Sequence, residues 1–455
     1  MGFSSFITFF YVKNRFGSGY MSRQRCSYQP GIFTSPRMQL KWYKYPQQLE
    51  NSLDIGISVV SPENAAANKT VVDVSSIVDR LGIKPLIAAG GPNTLHSGTK
   101  PRPEAIRAMT EMSENFVRMD ELLIAAGEEI ASMIGVPAAT VTSGASGGLV
   151  LQAAAAIAKD DPDAIANLPI TVELPNELII QRGHRFAYDH LYLVPGSRFV
   201  EVGTEESCTP DEINDAIGPN TAGVIHLIPS ARGSATVPLS EAVDVAHSHD
   251  LPLLLDAAST LPPRANLTKF VEMGADLVSF SGGKGVRGPQ STGILLGDPR
   301  WVEYARLNNA PNATVARAQK VSKEEIAGLV AALEAFVGED EELETTRYRR
   351  DMQLIVDQVS EVPGITASVK HGEDFYIPHA VLEFNESWKG PSSMEIGQAL
   401  LAGEPRIYLR HGYAWFNGIS VDPLNIQPGE LEIVADTVRS TLISAASGEQ
   451  LRKNG

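Results

Sequence analysis

The sequence predicts an α/β protein with a mainly parallel sheet covered by helices on both faces, followed by a smaller C-terminal α+β domain. Three observations point there. Between about residues 139 and 296 short apolar runs alternate with helical stretches, the texture of strands buried on both faces in βαβ units. After about Val321 that texture gives way to a long charged helix and then to further strands. The composition, 43% hydrophobic and 20% charged over 455 residues, excludes a largely disordered or fibrous protein. It also provides core material for about two or three structural units.

The N-terminal part stands apart. Residues 1–49 hold seven basic side chains and no acid, so the net charge of −16 becomes −23 for the remainder. A body that acidic is a poor binder of nucleic acid, whose affinity comes from Lys and Arg neutralising phosphates. The basic, Ser-containing start is composed like an organellar transit peptide, and equally like an unstructured extension or a stretch ahead of a true initiator at Met21. The expected compartment is cytoplasmic, or mitochondrial if the extension is a transit peptide. Phe6 breaks the myristoylation pattern. The Phe-rich stretch 3–12 is shorter than the roughly 18 apolar residues that span a bilayer and contains Ser and Thr, so no membrane association is expected. Cys26 and Cys208 are the only cysteines, which supports neither a disulfide framework nor a Cys-based metal site. The expected organisation is a basic extension at 1–70, an arm at 71–110, a large domain at 111–320 and a small domain at 321–455.

Along the chain, 71–82 reads as a short amphipathic helix, and a Gly- and Pro-broken apolar arm follows from Pro85. Residues 103–134 read as one helix, with Met109, Met112, Phe116, Met119, Leu122 and Leu123 near 3.6 spacing and expected in the core. Strands are predicted at 139–143, 170–174, 178–181, 191–194, 199–202, 222–228, 252–256, 277–280 and 293–296. Helices are predicted at 147–158, 210–216, 240–249 and 267–274. The small domain reads as one helix at 323–356, strands at 365–370, 379–384 and 406–411, a helix at 393–401 and a final helix at 428–447.

Chemistry concentrates at predicted strand ends, where open α/β sheets bind ligands. Thr142-Ser143-Gly144-Ala145-Ser146-Gly147-Gly148 lies between a strand and a helix. Such a junction cradles a phosphate on backbone N–H groups, and the same residues also build ordinary turns. Asp256 closes the apolar run Leu253-Leu254-Leu255; its carboxylate could hold a pyridine nitrogen protonated or cap a helix. Lys284, in Ser281-Gly282-Gly283-Lys284-Gly285, follows Asp256 by 28 residues, room for one helix and one strand that return it to the same sheet edge. A desolvated lysine there forms imines and shuttles protons; a solvated loop lysine does neither.

Taken together, 255–263 and 274–293 resemble the aspartate aminotransferase superfamily of pyridoxal 5'-phosphate (PLP) enzymes, the PLP-dependent transferase fold type I, and within it the selenocysteine synthase-like branch. The likeness runs from about Gly82 to Val438 and implies a seven-stranded-type sheet. It implies Lys284 as the Schiff-base lysine, Asp256 as the partner of the ring nitrogen and His184 as the ring stacked on the cofactor, with Tyr188 as the substitute. Thr142, Ser143, Gly144, Ala145, Ser281 and Gln290 would hold the cofactor, and Ser230 would approach its phenolic oxygen. Arg232 and Arg410 would grip a substrate carboxylate, or serve structural ion pairs. Thr94, in an arm that also carries Asn93 and His96, would close over the substrate. No metal is implied. The partners implied are a small amino substrate and a second copy of the chain, in a homodimer or larger assembly where Arg287 and Gln290 could serve a neighbour's phosphate.

With Lys284 as base for the α-proton, the resemblance implies a PLP-dependent lyase or transferase, acting by α,β-elimination of the ammonia-lyase type or by β-replacement on a small amino acid or amino-sugar acid. Seryl-tRNA selenium transfer, amino-acid racemisation and non-catalytic PLP binding are the alternatives.

Overall fold

The computed structural model describes residues 76–228, 235–372, 375–413 and 416–448. In chain order it begins with α1 (Ile77–Arg80), β1 (Ile87–Ala88), α2 (Pro103–Ser113), α3 (Met119–Ile134), β2 (Ala138–Ser143), α4 (Gly144–Ala158), α5 (Pro162–Asn167), β3 (Glu177–Gln181) and β4 (Arg198–Val202). Next come α6 (Pro210–Ala216), β5 (Thr221–Leu227), α7 (Leu239–Ser248), β6 (Leu253–Asp256), α8 (Asn266–Glu272), β7 (Leu277–Ser281), β8 (Thr292–Gly297), α9 (Pro299–Asn308), α10 (Lys323–Gly338) and α11 (Glu341–Val359). The chain closes with β9 (Ile365–Gly372), β10 (Phe375–Phe384), α12 (Ser393–Ala402), β11 (Ile407–Tyr408), β12 (Arg410–His411), β13 (Gly418–Val421) and α13 (Leu431–Ala446).

Seven strands form one sheet in the order β2-β8-β7-β6-β5-β3-β4. Every pairing in it is parallel except those of β8, which runs against both neighbours. The alternation of buried side chains shows that both faces are covered. Ile179, Val224, Leu253, Leu255 and Val278 enter one apolar core, whereas Leu178, Ile180, Ile225, Leu254 and Leu277 enter the other. The Ala-rich α4 is buried almost throughout, and its small residues allow close approach: a Cβ on Gly148 would fall 2.2 Å from Ser279 Oγ. Four further strands form an antiparallel sheet in the order β12-β13-β10-β9, backed by a third core that includes α11, α12 and α13. The arm is tied to this part by the parallel pairing of β1 with β11. Among the described residues no helix is long and apolar enough to cross a membrane.

Several expected elements take another form. The helix expected at 71–82 is observed only as α1, its start lying outside the described residues. The helix expected at 103–134 breaks at Asn115–Arg118, giving α2 and α3, and Phe116 projects fully into solvent instead of joining the core. The helix expected at 323–356 is likewise two, because Ser322 and Asp340 each cap a fresh start. No strand forms at 170–174, where Ile170 and Val172 are exposed, and 191–193 falls in a 3-10 helix that Val194 caps. Both were short apolar runs, whose period cannot separate a strand from a turn. The strand expected at 406–411 divides into β11 and β12, which belong to different sheets. Helices α5 and α9 and strand β13 were not anticipated.

Candidate active site

The floor of the site is built at the carboxyl ends of β6 and β7. Three leucines hold β6 in the sheet, so the residue that ends it, Asp256, is only 4% exposed. Its Oδ1 accepts the Ala258 N–H at 2.9 Å. Burial pushes this carboxyl above its ordinary range, opposed by that hydrogen bond and by the Lys284 charge. Beneath it, Gln152 Nε2 donates to Leu255 O at 2.9 Å and Leu277 O at 3.0 Å, clamping β6 to β7, while Gln152 Oε1 accepts from Tyr192 Oη at 2.9 Å. The polar side chain inside an alanine run, Leu151-Gln152-Ala153, was the sequence signal for that clamp.

Beyond β7 the chain turns through glycines that the backbone requires. A Cβ at Gly283 would lie 2.5 Å from Gln290 Cα, and one at Gly285 2.2 Å from Leu261 O. Between them Lys284 points its Nζ at Ser259 Oγ, 2.5 Å away. Burial holds the ammonium below its ordinary range; the Asp256 charge opposes this and Arg410 reinforces it.

The glycine junction stands at the same sheet edge. Ser143 ends β2 and Ser281 ends β7, opposite Thr292 and Gly293 on the intervening β8. Gly144 takes φ +66° to open the fifteen-residue α4, and Gly293 has no room for a side chain beside it. The Thr142 hydroxyl donates to Gly144 O at 2.8 Å, so it shapes the turn. Ala145 O accepts from Ser279 Oγ at 3.0 Å, and the Ser143 side chain does not cap the first α4 amides.

His184 is fully buried in a 3-10 turn after β3. Both its ring nitrogens lack hydrogen-bond partners among the described residues, and its ring meets His226 edge-on at 4.3 Å. Burial lowers its pKa to about 4, keeping the imidazole neutral. A neutral flat ring presents an uncharged face against which an aromatic group can stack.

A cavity of about 330 Å³ joins these elements to the small domain. Lys284, Ser259 and the exposed Tyr188 line it from the large domain; Gly91 and Asn93 line it from the arm. The far wall carries Tyr408, Arg410, His379 and Asp422. Arg410 lies over the Tyr413 ring at 5.5 Å. Asp256, His184, Ser143 and Ser281 do not line this cavity. Thr94 and Gln290 meet outside it, where Gln290 Nε2 donates to Thr94 O at 3.2 Å and so clasps the arm to the Lys284 loop. His96 stacks on Tyr408 at 3.7 Å. Arg287, at φ +58°, stands among Arg102, Glu339, Arg347 and Tyr348. Ser230 and Arg232 lie outside the described residues.

Sequence reasoning missed Ser259, Tyr408, His379 and Asp422. One signal was available: Ile419-Ser420-Val421-Asp422 is an apolar strand closed by an acid, the pattern that identified Asp256.

Comparison with known proteins places these observations. Residues 174–364 match the family model described as L-seryl-tRNA selenium transferase. Over 378 residues the chain is 29% identical to the D-glucosaminate-6-phosphate ammonia lyase of Salmonella typhimurium, covering 82% of this chain and 99% of that one. It is also 29% identical over 375 residues to a 5'-C-glycyluridine monooxygenase-decarboxylase of a Streptomyces species, covering 80% and 91%. A solved structure of D-glucosaminate-6-phosphate ammonia-lyase superposes with a TM-score of 0.70 at 28% identity, over 82% of this chain and 100% of that one. Serine palmitoyltransferase solved with PLP shares the fold, with a TM-score of 0.51 at 16% identity over 80% and 89%.

Proposed function

Starting from a chain homologous to the selenocysteine synthase-like branch of the fold type I PLP enzymes, we propose that it is a PLP-dependent lyase acting by α,β-elimination on an amino-sugar acid or a related small amino acid. The observation that carries this reading is the convergence of Lys284 and the buried Asp256 at one sheet edge, with Lys284 opening into the cavity that Arg410 also lines.

The residues fit the cofactor. Lys284 Nζ would hold it covalently, Asp256 would face the ring nitrogen, and His184 would lie against the ring. Ser143, Ser281 and the first amides of α4 would take the phosphate. Bound there, PLP supplies an electron sink for the bond broken at the substrate's α-carbon. A protonated ring nitrogen would give Asp256 the counter-charge that burial makes it need. Lys284, its ammonium held below the ordinary range by burial, is suited to take the α-proton on Nζ. The planar Arg410 guanidinium would grip the substrate carboxylate.

The relative that matches over 99% of its own length is named an ammonia lyase of a phosphorylated amino-sugar acid, which supports elimination over transfer to tRNA. The −23 charge of the chain beyond residue 49 points the same way. A homodimer or larger assembly is part of this proposal. The test is a panel of 2-amino-2-deoxy-aldonic acids, with and without a phosphate, assayed for ammonia and keto acid with the PLP-loaded full chain. Release of both from at least one member is expected. Their absence across the panel, from protein carrying a pyridoxyl group on Lys284, would reject the lyase reading.

A further inference from the structure

We propose that Asp422, backed by His379, is a second proton-transfer residue of this site, delivering the proton to the oxygen that leaves the substrate's β-carbon. The inference rests on the elimination reading above. Eliminating a hydroxyl breaks two bonds, and only one is served by Lys284. Lys284 Nζ takes the α-proton, and the electron pair left at Cα forms the Cα=Cβ double bond only as the Cβ–O pair departs on oxygen. Hydroxide is a poor leaving group, so that oxygen must gain a proton as the bond breaks.

Asp422 and His379 stand in the wall of the cavity that holds Lys284. Asp422 follows the apolar β13 and is only 6% exposed. Its backbone N–H donates to Ala89 O at 2.9 Å, and its Oδ1 accepts the Leu424 N–H at 2.8 Å. The other oxygen, Oδ2, stands 3.2 Å from His379 Nε2. The cavity-lining Gly91, at φ +79°, lies on the same side, and a Cβ there would fall 2.4 Å from Oδ2. Only a glycine leaves this oxygen its space.

The position of the proton follows from the acceptors. His379 Nδ1 lies 2.8 Å from Ile377 O; a carbonyl only accepts, so Nδ1 carries its hydrogen. Nε2 and Oδ2 cannot both be bare at 3.2 Å, and one proton therefore sits between them. The Phe375 ring lies against the His379 imidazole at 4.6 Å. Burial pushes the Asp422 acid up, but His379, the Leu424 N–H and Arg410 outweigh it and keep the group below its ordinary range. During elimination the proton shared by Nε2 and Oδ2 passes through Oδ2 to the departing oxygen, which leaves as water. Hydrolysis of the unsaturated amine then yields keto acid and ammonia, with no oxidant or reductant consumed.

The test varies the leaving group. With PLP-loaded full-length protein, a 2-amino-2-deoxy-aldonic acid is compared with its 3-chloro-3-deoxy analogue, because chloride leaves without a proton. Asp422→Asn is expected to lower kcat/KM about 10²- to 10⁴-fold on the hydroxyl substrate, against about tenfold or less on the chloride. His379→Gln should show the same split with a smaller loss, and it decides the matter if Asp422→Asn does not fold. Borohydride trapping of the pyridoxyl group on Lys284 should proceed in both variants to the wild-type yield, which a collapsed site would not allow. Equal losses on the two substrates would overturn the role of Asp422 and leave the elimination reading standing. Wild-type protein that eliminates from neither substrate would overturn both.

Discussion

The two walls of the cavity are built differently. The large-domain wall, where Lys284 and Ser259 face the cavity, follows neighbouring parallel strands that end in Asp256 and Ser281, themselves outside its lining; Gln152 locks the two strands together. The small-domain wall comes from β10, β11, β12 and the residue after β13. Those strands belong to two different sheets, and the functional side chains are fixed by partners far away in sequence, such as Asp422 by His379. Groups that hold a cofactor need one invariant geometry, which a rigid parallel sheet edge gives. Groups that meet the variable part of a substrate can sit on a second domain whose loops are free to differ.

The sharpest way to break this comparison is on the large wall. Lys284→Ala should abolish borohydride-trapped pyridoxyl and lower kcat about 10⁴-fold, the upper end of what one proton-transfer group contributes. Activity within tenfold of wild type would mean that the two walls have been assigned the wrong way round. On the small wall, Arg410→Ala should act through binding: KM is expected to rise about 10- to 100-fold, the worth of a charged hydrogen bond, with kcat changed less than threefold. A fall in kcat at constant KM would move Arg410 into the chemical step.

How much of this was legible follows from the same contrast. The Asp256 and Lys284 segments are contiguous, rich in glycine and bounded by apolar runs of strand length, so residue type and spacing alone place them at one edge. The Thr142–Gly148 junction was also readable, although Thr142 proved to shape the turn. His379 was not, because it looks ordinary until β10 pairs with β13, and antiparallel partners separated by a helix leave no shared local pattern; Asp422 carried one local sign, an acid closing the short run Ile419-Ser420-Val421. The missed helix breaks have a similar cause. Asp340 lies inside an acidic stretch whose composition favours helix, and only its side chain accepting the Leu343 N–H marks a new start.

Smaller effects sharpen the account of burial. Asp256→Asn should raise the thermal midpoint of the cofactor-free protein at pH 7 by a few degrees. The folded carboxyl has a raised pKa, so the folded state binds more protons than the unfolded one above the ordinary carboxylate range. Stability therefore falls as pH rises through that window, and the asparagine escapes the loss. A midpoint that drops would show that Asp256 is held as a stabilising ion. His184 carries the opposite sign. With its pKa lowered from 6.5 to about 4, the unfolded chain takes up a proton first, and stability is lost as pH falls from about 6.5 towards 4. His184→Phe should flatten part of that slope in urea unfolding followed at pH 7, 5.5 and 4.5, with His226, also lowered by burial, retaining the remainder. An unchanged slope would contradict a neutral buried His184.

The central claim, that Lys284 is where this protein carries its cofactor, is tested most directly by reducing the PLP-loaded chain with borohydride and mapping the peptides. A single pyridoxyl group is expected on Lys284, and the visible absorbance should vanish on reduction. A label on another lysine, or a protein that stays colourless after addition of PLP, would contradict it.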